Sequence, residues 1–572
     1  MSQQPSVAVE TEKKDKKVVE EEKNLVKNEG GGELLFCGAT HWNAIGRRKV
    51  LTEGDLVSPT RIRSLVGIDI RYVASGCASR HCVALGVDGR CYTWGRNEKG
   101  QLGHGDKIIY YSPTVVSALS EYKVVKAACG GGHTVVLTED GISWSFGWNK
   151  HGQLGTGSTK NEFELSPVRC LVSNVKDVAC GTDFTVWLTS VEGATILTAG
   201  YPQYGQLGHG TNHEYNMKES SVRLAYEAQP SPQAIASLSD ETIVKVACGA
   251  NHTVALDSKG YVYTWGFGGY GRLGHREQKD EWSPRRVDIF TKHNVLPPGA
   301  VISAGSVTSA CSRGVGQMYM WGKIKKAGDN WMYPKPLMDL SGWNVRCMDS
   351  GNMHHFVGAD SSCISWGSAL SGELGYGPNQ QKSSAVPKTV DVLEGMHVIS
   401  VACGLAHSLV VVDRSNVGDQ LEQLAVYDDK NPEGDEEPGI KPKSARKTSA
   451  KNAAKMPETS NKRPRISEES SELEVEEYND ESENDNGVES DFEKERDVQK
   501  KVNSGRKKAS SGKTSARGEL KANSGRKKAG QTSARGEMKV DSGRKKAGSG
   551  QTFARGRSLV ATKAGAPAKR RR

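Results

Sequence analysis

The chain has 572 residues, with 77 Lys and Arg against 67 Asp and Glu, for a formal net charge of +10. Only 36% of it is hydrophobic, and no run of about eighteen apolar residues occurs, which argues against a helical membrane span. All 12 cysteines lie between Cys37 and Cys403 without a C-x-x-C pair, so free thiols in a reducing compartment are expected rather than a zinc site.

The amino terminus, M-S-Q-Q-P-S-V-A-V-E-T-E-K-K, has no apolar h-region and is too acidic for a transit peptide, so a soluble intracellular protein is expected. Residues 1–33 mix Lys with Glu and end in three glycines, which reads as a disordered arm.

From residue 34 to 414 the chain repeats itself. The clearest copy runs from Ile243 to Leu273. It is an apolar run ending in Cys248-Gly249, a second opening at His252-Thr253, a Lys259-Gly260 turn, a third run closing on Trp265-Gly266, and a glycine-rich loop. The Cys-Gly-x-x-His-Thr word returns at Cys129 and Cys403, and at Cys180 with Phe184 in the His place. Looser copies open at Gly76, Gly305 and Gly351. The closing word recurs at Trp94, Trp321 and Trp366, and in altered form at Cys37, Phe146 and Ala199, which makes seven of each. A repeat of about fifty residues signals an array.

The runs are short, β-branched and closed by glycine, so four-stranded blades fit and helical repeats do not. Residues 34–40 (L-L-F-C-G-A-T) match a third strand with no strand before it, and residues 398–413 supply two strands with none after them. Each end holds what the other lacks. The expectation is an all-β, seven-bladed β-propeller closed by its N- and C-terminal strands, which removes open edges.

Two units depart from the pattern. The interval from Gly208 to Cys248 is 40 residues, against 26 from Gly103 to Cys129. Extra loops on a rigid ring are where binding often sits. The Trp321 unit has lost its Leu-Gly loop and reads W-G-K-I-K-K-A-G-D-N-W-M-Y-P-K, either a decayed blade or a contact surface.

Beyond the repeats, residues 415–467 read as a disordered linker with basic clusters, including Lys462, Arg463 and Arg465. An acidic disordered block follows at 468–498, where residues 468–497 hold 15 acidic and 2 basic side chains. Residues 499–572 form a basic low-complexity tail with 23 Lys and Arg against 3 Asp and Glu. Its core is a second repeat, N/D-S-G-R-K-K-A, which places Arg506, Lys507, Lys508, Arg526, Lys527, Lys528, Arg544, Lys545 and Lys546, and the chain ends in Lys569, Arg570, Arg571 and Arg572. Such clusters neutralise phosphates by counterion release without reading bases, and they also match nuclear import words. Chromatin or DNA and an import receptor are therefore the expected partners of the tail.

The chemistry-bearing words in the propeller read as structural. The G-Q-L-G loops lack the spacing of a phosphate loop, and their glycines suit tight turns. The word histidines recur once per blade, so closure spreads them round a ring, where hydrogen bonding to a neighbouring turn is expected. His104, His209 and His275 follow the Leu-Gly turns and are expected to be more exposed. No nucleophile–base pair stands out, so catalytic, cofactor and metal residues are all expected to be absent.

The W-G-x-N-x-x-G-Q-L-G and A-C-G-x-x-H-T words resemble the regulator of chromosome condensation repeat family. The resemblance rests on residues 34–47, 94–106, 265–281, 331–335 and 364–377 and covers 34–414, but not the tail. It implies a nuclear, chromatin- and mitosis-associated propeller that binds a small GTPase, in a family whose members can act as guanine nucleotide exchange factors. Exchange is linkage: a partner that prefers the empty GTPase must weaken nucleotide binding by the same factor. No motif marks a GTPase-contact residue. A non-exchanging scaffold for nuclear or mitotic complexes is the alternative. The ultraviolet-sensing branch is disfavoured, because its Gly-Trp-Arg-His-Thr words are replaced here by C-G-G-G-H-T, C-G-T-D-F-T and C-G-A-N-H-T.

Overall fold

A computed structural model describes residues 30–46, 54–211, 214–216, 224–314, 316–325, 328–415 and 417–430. All of them fall in the first of two compact units, Met1–Glu495. They form seven four-stranded antiparallel blades, as the sequence predicts. Blade 2 illustrates the plan with strands Val124–Cys129, His133–Thr138, Ser143–Trp148 and Phe163–Arg169 in that order. The first strand of each blade lies beside the first strands of its neighbours, so these strands line the ring's inner wall.

Burial explains the sequence pattern. Second strands such as His133–Thr138 and Phe184–Thr189 are buried along their whole length, because each is covered by a blade on both faces. They therefore read as continuous apolar words rather than alternating ones. Outer strands such as Phe163–Arg169 are only half covered. Each carries a proline: Pro59, Pro113, Pro167, Pro232, Pro284, Pro334 and Pro387. Proline cannot donate to a further strand, so the outer edges are blunted against sheet addition.

The ring closes as expected. Gly32–Gly38 pairs antiparallel with His407–Asp413, from Gly32 opposite Asp413 to Gly38 opposite His407. Blade 7 thus takes Val398–Cys403 and His407–Asp413 from one end of the repeats, and Gly32–Gly38 and Leu56–Ile62 from the other. Leu34 and Phe36 pack with Leu409 and Val411 on one face, and Leu35 and Cys37 with Val410 and Val412 on the other. Arg414 adds an ion pair to the buried Glu33 at 2.8 Å and another to Asp69.

Two boundaries differ from the sequence reading. The closing strand begins at Gly32, inside the stretch assigned to the arm. Residues 417–430, assigned to a disordered linker, instead cross the edge of blade 7. A short helix, Gly418–Glu422, buries Leu421 in the blade 7 core. Val426–Tyr427 then adds in parallel to the outer strand. Ser64 and Ser112 donate to Asp429 at 2.5 Å each, and Arg61 donates to the carbonyls of Glu422 and Leu424. The buried apolar positions here are too few to show a period, so the linker reading had no signal against it. The remaining arm, linker, acidic block and tail lie outside the described residues.

Blade 3 shows how a lost signature residue is replaced. Its third strand carries Ala199 where blade 4 has Trp265, but its second strand carries Trp187 where blade 4 has Ala255. Trp187 is fully buried in one cluster with Ala199 and lies against Gly155 from blade 2. The bulk has moved one strand over. Trp187→Ala should therefore cost roughly 3–5 kcal/mol, read by urea unfolding. Adding Ala199→Trp, which recreates the blade 4 arrangement, should recover part of that loss. Equal loss in the single and double variants would refute the exchange.

Candidate functional site

One end of the propeller is built by the turns between first and second strands and by the long loops between third and fourth strands. The C-G-x-x-H-T word organises that end. Adding a Cβ to Gly130, Gly249, Gly351 or Gly404 would place it 2.1–2.4 Å from the ring of His133, His252, His354 or His407. Gly181 sits against Phe184 in the same way. Glycine precedes these rings because nothing larger fits beneath them.

The histidines then clasp successive blades. His81 Nε2 lies 2.8 Å from Thr134 Oγ1, and that hydroxyl donates to the Gln101 carbonyl at 2.8 Å, back in the loop of blade 1. His133 meets Thr185 at 3.0 Å, and Thr185 donates to the Gln153 carbonyl at 2.7 Å. His252 and Ser309, with the Arg272 carbonyl, repeat the relay, as do His354 and Ser408 with the Glu373 carbonyl. Because each hydroxyl gives its proton to a carbonyl, the imidazole must be a donor at Nε2, the neutral tautomer protonated there. Burial pushes His81 and His133 down to about 3 and His354 to about 4. Where Phe184 replaces His, Trp265 Nε1 reaches the Gln206 carbonyl at 2.9 Å instead.

His104 and His209 are half-buried, more exposed than the word histidines as expected, whereas His275 is only 7% exposed. The Nε2 atoms of all three lie 2.8–2.9 Å from Thr93, Thr198 and Thr264. Each is folded back under its own loop and held by a hydroxyl of its own blade's third strand. The Gln-Leu-Gly loops are not anion cradles. The amides of Gly100 and Gly103 bond the carbonyls of Asn97 and Gly100, and the amide of Leu102 bonds Asn97 Oδ1 at 3.0 Å. With these donors consumed internally, the loop holds its own shape. The cysteines are free, and burial drives thiols such as Cys91 up to about 12, out of reach of thiolate chemistry at neutral pH. Among the described residues no cluster of His, Cys, Asp or Glu could hold a metal, and no helix is long and apolar enough to cross a membrane.

Backbone bonds between the first turns knit the mouth of the channel: Gly131 to Thr182, Thr182 to Ala250, Ser306 to Gly351, Asn352 to Gly404 and Leu405 to Ser79. Around this rigid mouth runs an arc of aromatic rings. Lys99 lies over Trp148, which meets His151 at 5.3 Å; His151 meets Tyr201 at 4.2 Å, and Tyr201 meets Tyr226 at 6.0 Å. Tyr204 and Phe267 continue it at 4.7 Å, with Arg272 over Phe267. Arg272, 1% exposed, donates to the Ser306 carbonyl at 2.6 Å, so the arc is anchored to the mouth.

The long loop of blade 3 forms an added hairpin here, with Glu214–Asn216 antiparallel to Leu224–Tyr226. It is inserted between the third and fourth strands of that blade. Its length was legible in the sequence, whereas its β-structure was not, because three-residue strands leave no periodicity. The basic residues predicted to contact nucleic acid or an import receptor, from Lys462 to Arg572, all lie outside the described residues.

The profile of the RCC1-like domain matches residues 110–418, and that of the regulator of chromosome condensation (RCC1) repeat matches residues 70–101. The chain belongs to the RCC1-like family. Protein RCC2 of Mus musculus is 39% identical over 437 residues, covering 71% of this chain and 82% of the relative. The resemblance within the family is thus to its RCC2 branch. The ultraviolet-B receptor UVR8 of Arabidopsis thaliana is 32% identical over 354 residues, covering 60% and 75%. In this RCC1-like chain Trp94, Trp265, Trp321 and Trp366 are each at most 1% exposed inside separate blades. The crystal structure of Prp20p from Saccharomyces cerevisiae, described with its binding to Gsp1p and histones, superposes with a TM-score of 0.54 at 19% identity, covering 68% of this chain and 94% of that one. A structure of Kap60 bound to yeast RCC1 (Prp20) matches with the same TM-score at 20% identity, covering 69% and 91%. At these identities the superpositions speak to the fold.

Proposed function

We propose that this RCC1-like propeller binds a small GTPase through the end that carries the knit turns, the aromatic arc and the blade 3 hairpin, and that it loosens the bound nucleotide. The observation that carries this reading is the hairpin, an addition to one blade placed where the long loops meet. A rigid ring that presents one projecting element can favour the empty form of a partner, which is all that exchange requires. Support comes from Prp20p, whose structural description includes binding to Gsp1p and histones. We further propose a nuclear protein acting in chromosome organisation and mitosis, held on chromatin by its basic tail and imported through its basic clusters.

The test uses the full chain and a panel of small GTPases loaded with fluorescent nucleotide. Release from one of them should accelerate at least about tenfold, and deletion of 212–226 should remove the acceleration while the circular dichroism stays unchanged. Binding to the nucleotide-free form without acceleration would make the protein an adaptor. No binding across the panel would overturn the reading in favour of a scaffold.

A further inference from the structure

Blade 5 carries a feature that the GTPase reading does not use. Its outer strand, Trp331–Pro336, presents Trp331, Tyr333 and Lys335 on one side by alternation. Lys335 Nζ sits 5.3 Å from the Trp331 ring and 5.4 Å from the Tyr333 ring. Arg276, from the neighbouring loop of blade 4, lies 4.6 Å over Tyr333. Lys323, at the end of blade 5's third strand, lies 4.4 Å over Tyr270 of that same loop. Lys325 is exposed two residues further on.

The two blades are joined here by the Arg276 amide, which bonds the Met332 carbonyl at 2.8 Å, so these groups form one continuous patch. Tyr333 is 37% exposed and Arg276 is exposed, so the patch faces solvent. Tyr270 and Arg276 have φ of 61° and 66°, the left-handed region that side-chained residues rarely occupy. Two of the five side-chained residues with positive φ among the described residues thus lie in the patch.

Charge separates this patch from its surroundings. On the same blades Arg285 pairs with Glu277 and Glu281, and Arg286 and Lys259 pair with Glu241. Among the described residues Arg276, Lys323, Lys325 and Lys335 have no carboxylate partner. Four cations, three of them lying over aromatic rings, make a surface for carboxylates interleaved with apolar and aromatic side chains.

The chain itself contains such a segment. Residues 468–497 hold 15 acidic and 2 basic side chains, with Leu473, Val475, Tyr478 and Phe492 interleaved. From Lys430, the last described residue, ~38 residues lead to Glu468, a reach of up to about 125 Å when extended. A tether of this kind supplies an effective concentration near the millimolar range, so a weak contact suffices. We propose that the acidic segment 468–498 docks in cis on the cationic–aromatic edge of blade 5. This does not rest on the GTPase reading.

The experiment compares full-length protein with a variant lacking 468–498 and a variant carrying Arg276→Glu, Lys323→Glu and Lys335→Glu. Zero-length carboxyl–amine cross-linking followed by peptide mapping should join 468–498 to Lys323, Lys325 or Lys335 in the full chain. Those links should vanish in the triple variant. A fluorescent peptide of residues 468–498 should bind the deletion variant, weaken at least tenfold between 50 and 500 mM salt as surface pairing does, and persist when 499–572 is also removed. A Lys123→Glu variant on a distant blade should leave peptide binding unchanged. Cross-links only to Lys of 499–572 would overturn the proposal in favour of pairing between the two tail segments. Single-stranded oligonucleotide binding at the patch, undisturbed by the acidic peptide, would overturn it in favour of a nucleic-acid platform.

Discussion

Removing residues 499–572 should abolish most of the protein's salt-sensitive affinity for duplex DNA while leaving the propeller folded. The segment holds 23 Lys and Arg against 3 Asp and Glu, and the three R-K-K words are spaced along it by Ser, Gly and Ala. Each phosphate neutralised steepens the logarithmic salt dependence by ~0.9, so engagement of only six gives a slope of about −5. Affinity would then fall roughly a thousandfold between 50 and 200 mM salt. We expect full-length protein to show that slope and the 1–498 variant to show one of magnitude ~1 or less. Filter binding or fluorescence anisotropy across a salt series reads it directly. On the ring, exposed cations such as Arg285, Arg286 and Lys123 are paired with carboxylates. If residues 34–414 bind DNA equally well at the same salt, the assignment of DNA binding to the tail fails.

The second large effect is acid unfolding of the ring. Five buried histidines are held far below their ordinary range, with His81, His133, His355 and His407 at about 3 and His354 at about 4. His252 is also lowered, first by burial and then by Arg272. In the unfolded chain each takes a proton near pH 6.5, whereas in the ring it resists. Their contribution is therefore fully present above about pH 6.5 and is lost as pH falls toward the folded values. Each costs ~1.4 kcal/mol per pH unit, so six together cost about 8 kcal/mol per unit across the window between pH 6 and 4. A domain stability of roughly 5–15 kcal/mol is used up within two units.

Asp349 acts in the opposite sense. Burial raises it to about 7 and raises Asp55 and Glu373 as well, so acidification stabilises the ring through these three carboxyls. Six groups outweigh three. Tryptophan fluorescence and circular dichroism should show cooperative unfolding with a midpoint between about pH 5.5 and 4.5. His133→Phe copies what blade 3 already does at Phe184; it removes one titrating group and should make the pH dependence shallower by about one sixth. A ring that stays folded at pH 4 would sink the argument.

Why so much of the ring could be read from the chain is physical. Each blade must bury two middle strands on both faces and turn back in a tight loop, and four of the seven fit a histidine ring over a glycine. Those demands recur, so C-G-x-x-H-T and W-G recur, and the count of seven and the pairing of the two ends follow from words alone. The blunted edges were equally present as Pro59, Pro113 and their counterparts, but the signal becomes legible only once those positions are known to be outermost.

Other features depended on distance in space rather than on neighbours in sequence. The exchange of bulk between Trp187 and Ala199 is invisible to any repeat count, because it is settled by which side chain reaches Gly155 across the blade interface. His104, His209 and His275 follow turns and look solvated in sequence, yet a threonine on the adjoining strand draws each ring inward. The stretch 417–430 has the composition of a linker, and it takes its place from the blade 7 core around Leu421, the Ser64 and Ser112 hydroxyls, Arg61 and the outer strand of blade 7. The sequence by itself thus determined the architecture, the closure and the separation of charge along the chain, since these arise from repeated local burial and from composition. The tertiary structure alone decided which histidines clasp which blades, and that Arg276, Lys323 and Lys335 meet on one edge, because those contacts depend on how successive blades stack.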